Sequence, residues 1–253
     1  MSAGRLYLIP CSLSEDTPPQ DVVPAAVIDR IRTLDTFIVE NAKTARAFLR
    51  ACGHPRPLRE LALAELNEHT PAAAIGPLLA PVRAGKDAGL LSEAGAPAVA
   101  DPGAALVAAA HAEGIRVVPL SGPSSIILAL MASGLEGQRF RFVGYLPAQS
   151  APRREALAAL ERQSAANDET QVFIETPYRN DALLADILAA CREGTRLAVA
   201  ADLTGANEFL RLDRIGGWRA RPASLGKRPA VFMLHATASK KPQQVGAPRH
   251  AKR

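Results

Sequence analysis

Cysteine is scarce in this 253-residue chain: Cys11, Cys52 and Cys191 are far apart, and none belongs to a CxxC or CxxH pair. Such spacing excludes a disulfide framework and a zinc site, leaving three ordinary thiols in partly buried places. Aromatic residues are few, at 4% with one tryptophan. No apolar run reaches the ~18 residues that a membrane-spanning helix needs. The N-terminus "MSAGRLYLIPCS" has one basic residue and a short apolar patch, so it reads as a first strand rather than a signal peptide, and a cytoplasmic location is expected. GxGxxG and GxxxxGK[ST] are also missing, which excludes a dinucleotide fingerprint and a phosphate-binding loop of the Walker type. No repeat of roughly 20–50 residues is visible, and no metal site is expected.

What is present is globular in character, with 48% hydrophobic and 22% charged residues. The formal net charge of +5 invites a nucleic-acid reading, but it is local. "SKKPQQVGAPRHAKR" at the C-terminus holds Lys240, Lys241, Arg249, Lys252 and Arg253 and no acid, leaving 25 basic and 25 acidic residues in the body. This Pro/Gln/Gly-rich tail, residues 239–253, has no large apolar residues to bury a core and is expected to be disordered. An electrostatic contact with RNA and a functionless solvated tail are both open.

Strands alternate with helices almost throughout. "RLYLIP" (5–10) reads as the first strand, "DVVPAAVIDRIRTL" as one helix, "DTFIVE" (35–40) as a strand and "NAKTARAFLRAC" as a helix. An irregular stretch rich in Pro and Glu precedes a helix near 71–84 and a strand ending at Leu91. After Asp101 come a helix, the strand "IRVVPL" (115–120) and the helix "PSSIILALMASGL" (123–135). A second series follows: "RFVGYL" (141–146), a helix near 153–164, "TQVFIE" (170–175), a helix near 179–191 and "RLAVAAD" (196–202). It closes with "ANEFLRLDRI" and "AVFMLHA" (230–236) as strands with no obvious helix between them, which suggests antiparallel pairing there. The expected fold is α/β: an N-terminal α/β domain over 1–120, a C-terminal α/β domain over 121–238, and the tail.

In open α/β sheets, ligands sit outside the carboxyl ends of strands. Four such ends are punctuated here in unusual ways: "IPCSLSE", "SEAGAPAVADPG", "PLSGPSS" and "ETPYR". Small residues at these points let a ligand lie against backbone N–H and C=O groups. Asp101 also suits an N-cap with Pro102 at the first helical position, and Ser121 or Ser124 has the same double reading.

The stretch "LLSEAGAPAVADPGAALVAAAHAEGIRVVPLSGPSSIILALMASGL" resembles the long signature of the tetrapyrrole (corrin/porphyrin) methylase superfamily. It is most similar to the branch of small-subunit ribosomal RNA ribose 2′-O-methyltransferases, whose pattern runs approximately "LVSDAGTPLISDPGxxLVxxAxxxGIxVVPLPGPSAxxxALxxSGL". The match continues through "RFVGYLP", "VFIETPYR" and "LAVAADLT" and spans residues 5 to 236. The resemblance implies two α/β domains with S-adenosylmethionine (SAM) in the cleft between them, in a homodimer. Carried over by position, it implies that Pro10, Ser92, Glu93, Ala94, Gly95, Ala98 and Asp101 contact SAM from the first domain. Ser121, Ser124, Thr176, Leu203 and Pro229 would approach from the second.

Departures fall in the acceptor region. The family's "PTPIGNLxDIT" is "PCSLSEDTPPQD" here, and its "AEDTRxTRxLL" is "VENAKTARAFL". Glu40 and Arg46 are kept, while the aspartate becomes Asn41 and the first arginine Lys43. "LNEHT" (66–70) keeps Glu68 and His69 of the family's "xHEHN". A ribose hydroxyl attacking a methyl group benefits from a base. Glu40, at a strand end, is the first candidate and His69 the second. The leading expectation is thus a SAM-dependent methyltransferase acting on RNA. Two alternatives remain: methylation of a tetrapyrrole or another small molecule, and a non-catalytic SAM- or RNA-binding accessory protein.

Overall fold

The computed structural model describes residues 3–237. The basic tail, 239–253, lies outside the described residues. Backbone contacts divide the chain into two units. The first is Met1–Ala132 with Val199–Leu210 and Arg228–Val231; the second is Ser133–Ala198, Arg211–Lys227 and Phe232–Arg253.

The first unit is built on strands β1 (Arg5–Ile9), β2 (Thr36–Val39), β3 (Ala62–Glu65), β4 (Ala88–Leu91) and β5 (Arg116–Pro119), in the order β3-β2-β4-β1-β5. Every neighbouring pair is parallel, with Leu6 opposite both Ala88 and Val117 and Phe37 opposite Gly89. β2 and β4 are buried at every position, the mark of a parallel sheet covered on both faces. Side chains alternate between two cores. Tyr7, Ile9, Phe37, Val39 and Leu91 pack on one face with Val27, Ile28 and Ile31 of a helix at Ala25–Arg32 and Leu49 of one at Ala42–Ala51. Leu6, Ile38, Ala88 and Leu90 pack on the other with Leu106 and Ala110 of a helix at Gly103–Ala112.

Four local readings of the sequence are corrected in this unit. The helix expected over "DVVPAAVIDRIRTL" is two, α1 (Pro19–Val22) and α2 (Ala25–Arg32), because Val23 is extended before Pro24. The helix following β2 is α3 (Ala42–Ala51), as expected. The helix expected near 71–84 is three short turns, α4 (Ala72–Ile75), a 3-10 turn at Gly76–Leu79 and α5 (Ala80–Arg83), with Pro77 and Pro81 starting the second and third. The Pro- and Glu-rich stretch, irregular by its sequence, contains β3, whose partly exposed side chains at the sheet edge hide the apolar signal. The helix after Asp101, α6 (Gly103–Ala112), has Pro102 rather than Asp101 at its N-cap position.

A second sheet has the order β6-β7-β10-β8-β9, formed by β6 (Phe140–Tyr145), β7 (Thr170–Glu175), β8 (Arg196–Ala201), β9 (Phe209–Arg214) and β10 (Ala230–His235). Helix α7 (Ser125–Ser133) precedes it, and α8 (Ser150–Asn167) and α9 (Asn180–Ala190) alternate with its first strands. A helix does separate β9 from β10, contrary to the sequence reading: α10 (Ile215–Ala220), glycine-rich at its start and only six residues long. Its Trp218 is fully buried and donates its indole N–H to the Leu197 carbonyl at 2.9 Å. Phe173 of β7 and Phe232 of β10, both fully buried, stack with centroids 5.9 Å apart. The architecture is α/β with two sheets and flanking helices. Among the described residues no helix is long and apolar enough to cross a membrane. The three cysteines are free and buried, and burial pushes the Cys52 and Cys191 thiols up to about 12 and Cys11 higher still.

Candidate cofactor and acceptor site

Parallel pairing puts the carboxyl ends of β2, β4, β1 and β5 side by side on one edge of the first sheet. Three of the four loops singled out in the sequence leave from this edge, and the structure ties them together. Cys11 and Gly95 form an isolated antiparallel bridge: Cys11 donates its N–H to the Gly95 carbonyl at 2.9 Å, and Gly95 returns the bond at 3.1 Å. Gly95 has φ +71°, a conformation that glycine adopts without steric cost. The loop after β5 approaches so closely that a side chain on Gly122 would collide with the Pro10 ring. Glu40, just past β2, donates its N–H to Leu91 at 3.2 Å, and its carboxylate accepts the Glu93 N–H at 3.0 Å.

Within the loop after β4, Ala98 and Ala100 sit at φ +64° and +61°. Non-glycine residues there cost of order 1 kcal/mol or more each, so surrounding bonds must hold them. Asp101 supplies the bonds: its carboxylate accepts Ala98 N–H with both oxygens at 2.9 Å and Gly103 N–H at 2.7 Å. It therefore staples the strained loop to the first turn of α6 instead of capping the helix from the N-cap position. Ser92 donates its hydroxyl to the Ala94 carbonyl at 3.2 Å, closing the start of the same loop.

The edge is electronegative. Burial pushes the Glu40 carboxyl above its ordinary range; the Glu93 N–H opposes that rise, and the charges of Glu93, Asp101 and Glu68 add to it. Burial likewise raises Asp101 against its two backbone donors. A cationic ligand placed here would relieve that repulsion. Two buried hydroxyls are left with no hydrogen-bond partner, Ser12 Oγ and Thr204 Oγ1. A sulfonium-bearing amino acid carrying further polar groups fits this combination of carboxylates and orphaned hydroxyls.

The remaining expected contacts are placed as follows. Ser121 flanks Gly122, and the Ser124 carbonyl accepts the Leu128 N–H at the start of α7 at 2.9 Å. Asp202 donates its N–H to the Pro229 carbonyl at 2.9 Å, which brings Leu203 and Pro229 into one loop pair of the first unit. Thr17 joins them to the segment after β1 through a 2.7 Å bond to the Thr204 carbonyl. Leu203 lines an apolar cavity of about 310 Å³ with Leu128, Met131 and Leu210. Thr176 belongs to the second unit, where its N–H and hydroxyl both contact Glu175, at 2.7 and 3.2 Å. His69 is 85% exposed on a turn, in contact with Glu68 and Asn67. Ser12 and Thr204 were missed at the sequence level, Ser12 because it lies in the diverged "PCSLSE". Thr204 closes the matching "LAVAADLT", where only its left-handed backbone, φ +66°, distinguishes it. Among the described residues, no group of three His, Cys, Asp or Glu side chains is arranged to hold a metal ion.

Comparison with known proteins shows the family. The family described as tetrapyrrole (corrin/porphyrin) methylases matches residues 20–216. A "Ribosomal RNA small subunit methyltransferase I" of Pseudomonas aeruginosa is 32% identical over 237 residues, covering 92% of this chain and 79% of that protein. The protein of the same name from Escherichia coli O157:H7 is 34% identical over 215 residues, 85% of this chain and 71% of the other. Among solved structures, the methyltransferase CobJ superposes with a TM-score of 0.62 over 94% of this chain and 97% of its own, at 17% identity. That last likeness is one of fold.

Proposed function

Because the chain belongs to the tetrapyrrole (corrin/porphyrin) methylase family, we propose that it is a SAM-dependent methyltransferase acting on a ribose 2′-hydroxyl of small-subunit ribosomal RNA. The observation that carries this reading is the Glu40–Glu93 hydrogen bond, which joins the acceptor-side strand end to the donor-side loop. When bound, SAM supplies a methyl group on a positively charged sulfur. Pro10, Ser92, Glu93, Ala94, Gly95, Ala98 and Asp101 would hold the donor against the sheet edge, helped by Ser121 and Ser124. Leu203 and Pro229 would give its adenine apolar cover. Displacement of a methyl group is in line, so these residues contribute chiefly by fixing the attack geometry.

Glu40 would take the hydroxyl proton as the oxygen–carbon bond forms and the carbon–sulfur bond breaks. Its raised pKa suits that role, since a base works best with a pKa nearer the working pH. His69, 85% exposed, is the second candidate. A homodimer is part of the proposal: Ile127 and Met131 on α7 and Leu210 on β9 are 45%, 74% and 42% exposed, a large apolar share for a free surface.

Transfer of labelled methyl from SAM to small-subunit ribosomal RNA, with nuclease mapping of the modified ribose, is the test. Label at a ribose supports the proposal. The formally neutral body of the chain favours a second reading, a small acceptor, which label in a tetrapyrrole but not in RNA would support. SAM binding with no transfer to either would make the protein an accessory factor.

A further inference from the structure

The second unit carries a feature that donor binding does not use. β6 pairs in parallel with β7, but the register slips between Phe142 and Tyr145, where Gly144 has φ +72°. A side chain on Gly144 would meet nothing within 4 Å, so the glycine serves the backbone turn and not a close contact. Bulges of this kind re-aim the residue that follows. Here that residue is Tyr145, opposite Ile174 and 55% exposed.

Four residues beyond Ile174, Tyr178 is 70% exposed on the 3-10 turn Pro177–Arg179. This turn is clamped from inside. Glu175 has no side-chain exposure, and one of its oxygens accepts from Thr176 N–H at 2.7 Å and from Arg179 Nε and Nη2 at 2.9 and 2.7 Å. Its other oxygen faces the buried Arg153 at 4.0 Å. Arg153 is fixed in turn by Asp186 and by the Ala148 carbonyl, and Arg154, half exposed, shares Asp186 at 2.6 Å. Buried ion pairs contribute little net stability once desolvation is counted, so what this network supplies is position.

The Arg179 guanidinium lies 5.3 Å from the centre of the Tyr178 ring. It is held above its ordinary range first by Glu175, and the Tyr178 and Tyr145 hydroxyls add to that rise. A bulge on one strand and a clamped turn after its paired neighbour thus present two exposed phenol rings, Tyr145 opposite Ile174 and Tyr178 beside the Arg179 cation. In a chain with 4% aromatic residues, two exposed tyrosines so placed call for a ligand. Rings that accept a base face beside guanidinium groups that accept phosphate are how proteins hold unpaired nucleotides. We infer that Tyr145, Tyr178 and Arg179 form a stacking platform for an unpaired base of the acceptor RNA, with Arg154 available to its phosphate. This inference rests on the RNA reading above and adds the part of the chain that grips the strand.

The test is anisotropy titration of the full-length protein with a labelled single-stranded RNA oligonucleotide, alongside SAM calorimetry. Tyr178→Ala should weaken RNA binding roughly 5- to 100-fold, the usual range for removing one base–aromatic stack. Tyr145→Ala should act in the same direction, Tyr178→Trp should keep the affinity, and all three should bind SAM as the wild type does. Both tyrosines are exposed, so retained SAM binding certifies the fold. Wild-type affinity in Tyr178→Ala, or a loss in Tyr178→Trp equal to that in Tyr178→Ala, overturns the platform while leaving the RNA reading intact. No RNA binding by the wild-type protein overturns both.

Discussion

The carboxylate of Glu40 accepts the backbone N–H of Glu93 at 3.0 Å across 53 residues of sequence. One side chain therefore stands in both halves of the proposed reaction, as candidate base and as a tie on the donor loop. The two roles separate by substitution. Glutamine can still accept the Glu93 N–H but is a poor base, so Glu40→Gln should keep affinity for the uncharged S-adenosylhomocysteine and cut transfer about 10²-fold or more. Glu40→Ala removes the acceptor too and should also weaken SAM binding. Calorimetry paired with labelled-methyl transfer reads both. Full transfer by Glu40→Gln would reduce Glu40 to a positioning residue.

The acidic edge predicts a pH signature. Burial raises Glu40 and Asp101 above their ordinary values of 4.5 and 3.8. A group raised on folding contributes stability below its unfolded pKa and loses that contribution as pH rises through the folded value. In the ligand-free protein, Glu40→Gln should thus raise the melting temperature at neutral pH, with the gain fading as pH falls towards 4. Binding should show the reverse dependence, because the sulfonium favours ionised carboxylates. SAM affinity should fall on acidification from pH 7 to 5 more steeply than affinity for S-adenosylhomocysteine, whose sulfur is uncharged. Parallel pH profiles for the two ligands would mean that the carboxylates do not face the sulfur.

Gly95 is held by its backbone on both sides. Both of its peptide groups serve the Cys11 bridge, and a Cβ would come within 3.1 Å of Leu13 Cδ2. With φ at +71°, Gly95→Ala should cost about 1–2 kcal/mol of stability and loosen the donor loop, measurable as a lower melting temperature and weaker SAM binding. Gly95→Arg should abolish SAM binding with the protein still folded. Global unfolding of Gly95→Arg would make the residue structural.

Much of this site was legible in the sequence because it resides in loops of small residues whose order along the chain survives folding. The buried strands β2 and β4 were equally plain, since a sheet covered on both faces writes continuous apolar runs. β3 was not, because an edge strand with the burial of "ALAE" carries no such run. The sequence places Asp101 one residue away from its role: Asp-Pro signals a helix start, but only the backbone shows that the carboxylate bonds Ala98 as well. Cys11 reads as an isolated thiol, yet its main chain is what pins two loops together. Pairings of that kind depend on strand order, which no local pattern states.

The tail, 239–253, can be tested without knowing its conformation. Its five basic residues are expected to add RNA affinity by releasing counterions. Deleting it should weaken RNA binding and flatten the dependence on salt, by about 0.7 for each phosphate that is no longer neutralised on a single strand. SAM binding and melting temperature should stay put. An unchanged salt slope would make the tail inert and would favour a small acceptor.

Asn41→Asp probes the acceptor with the least disturbance to the fold. Asn41 caps α3, accepting Lys43 N–H at 2.9 Å and Thr44 N–H at 3.4 Å. Aspartate caps as well as asparagine, and its charge is favourable at a helix N-terminus, so stability should hold or rise by a few tenths of a kcal/mol. The change rebuilds the Glu-Asp pair that the resembling branch carries at the end of its second strand, next to Glu40. If divergence of the acceptor site is concentrated there, Asn41→Asp should raise transfer to small-subunit ribosomal RNA above the wild-type rate, with the SAM dissociation constant unchanged. A drop in that rate with intact SAM binding would instead mean that Asn41 is matched to this chain's own acceptor. No change in either quantity would mean that the acceptor difference extends to "PCSLSE" or to a different substrate class, and Ser12→Ala would be the next substitution to measure, since Ser12 Oγ is buried without a partner.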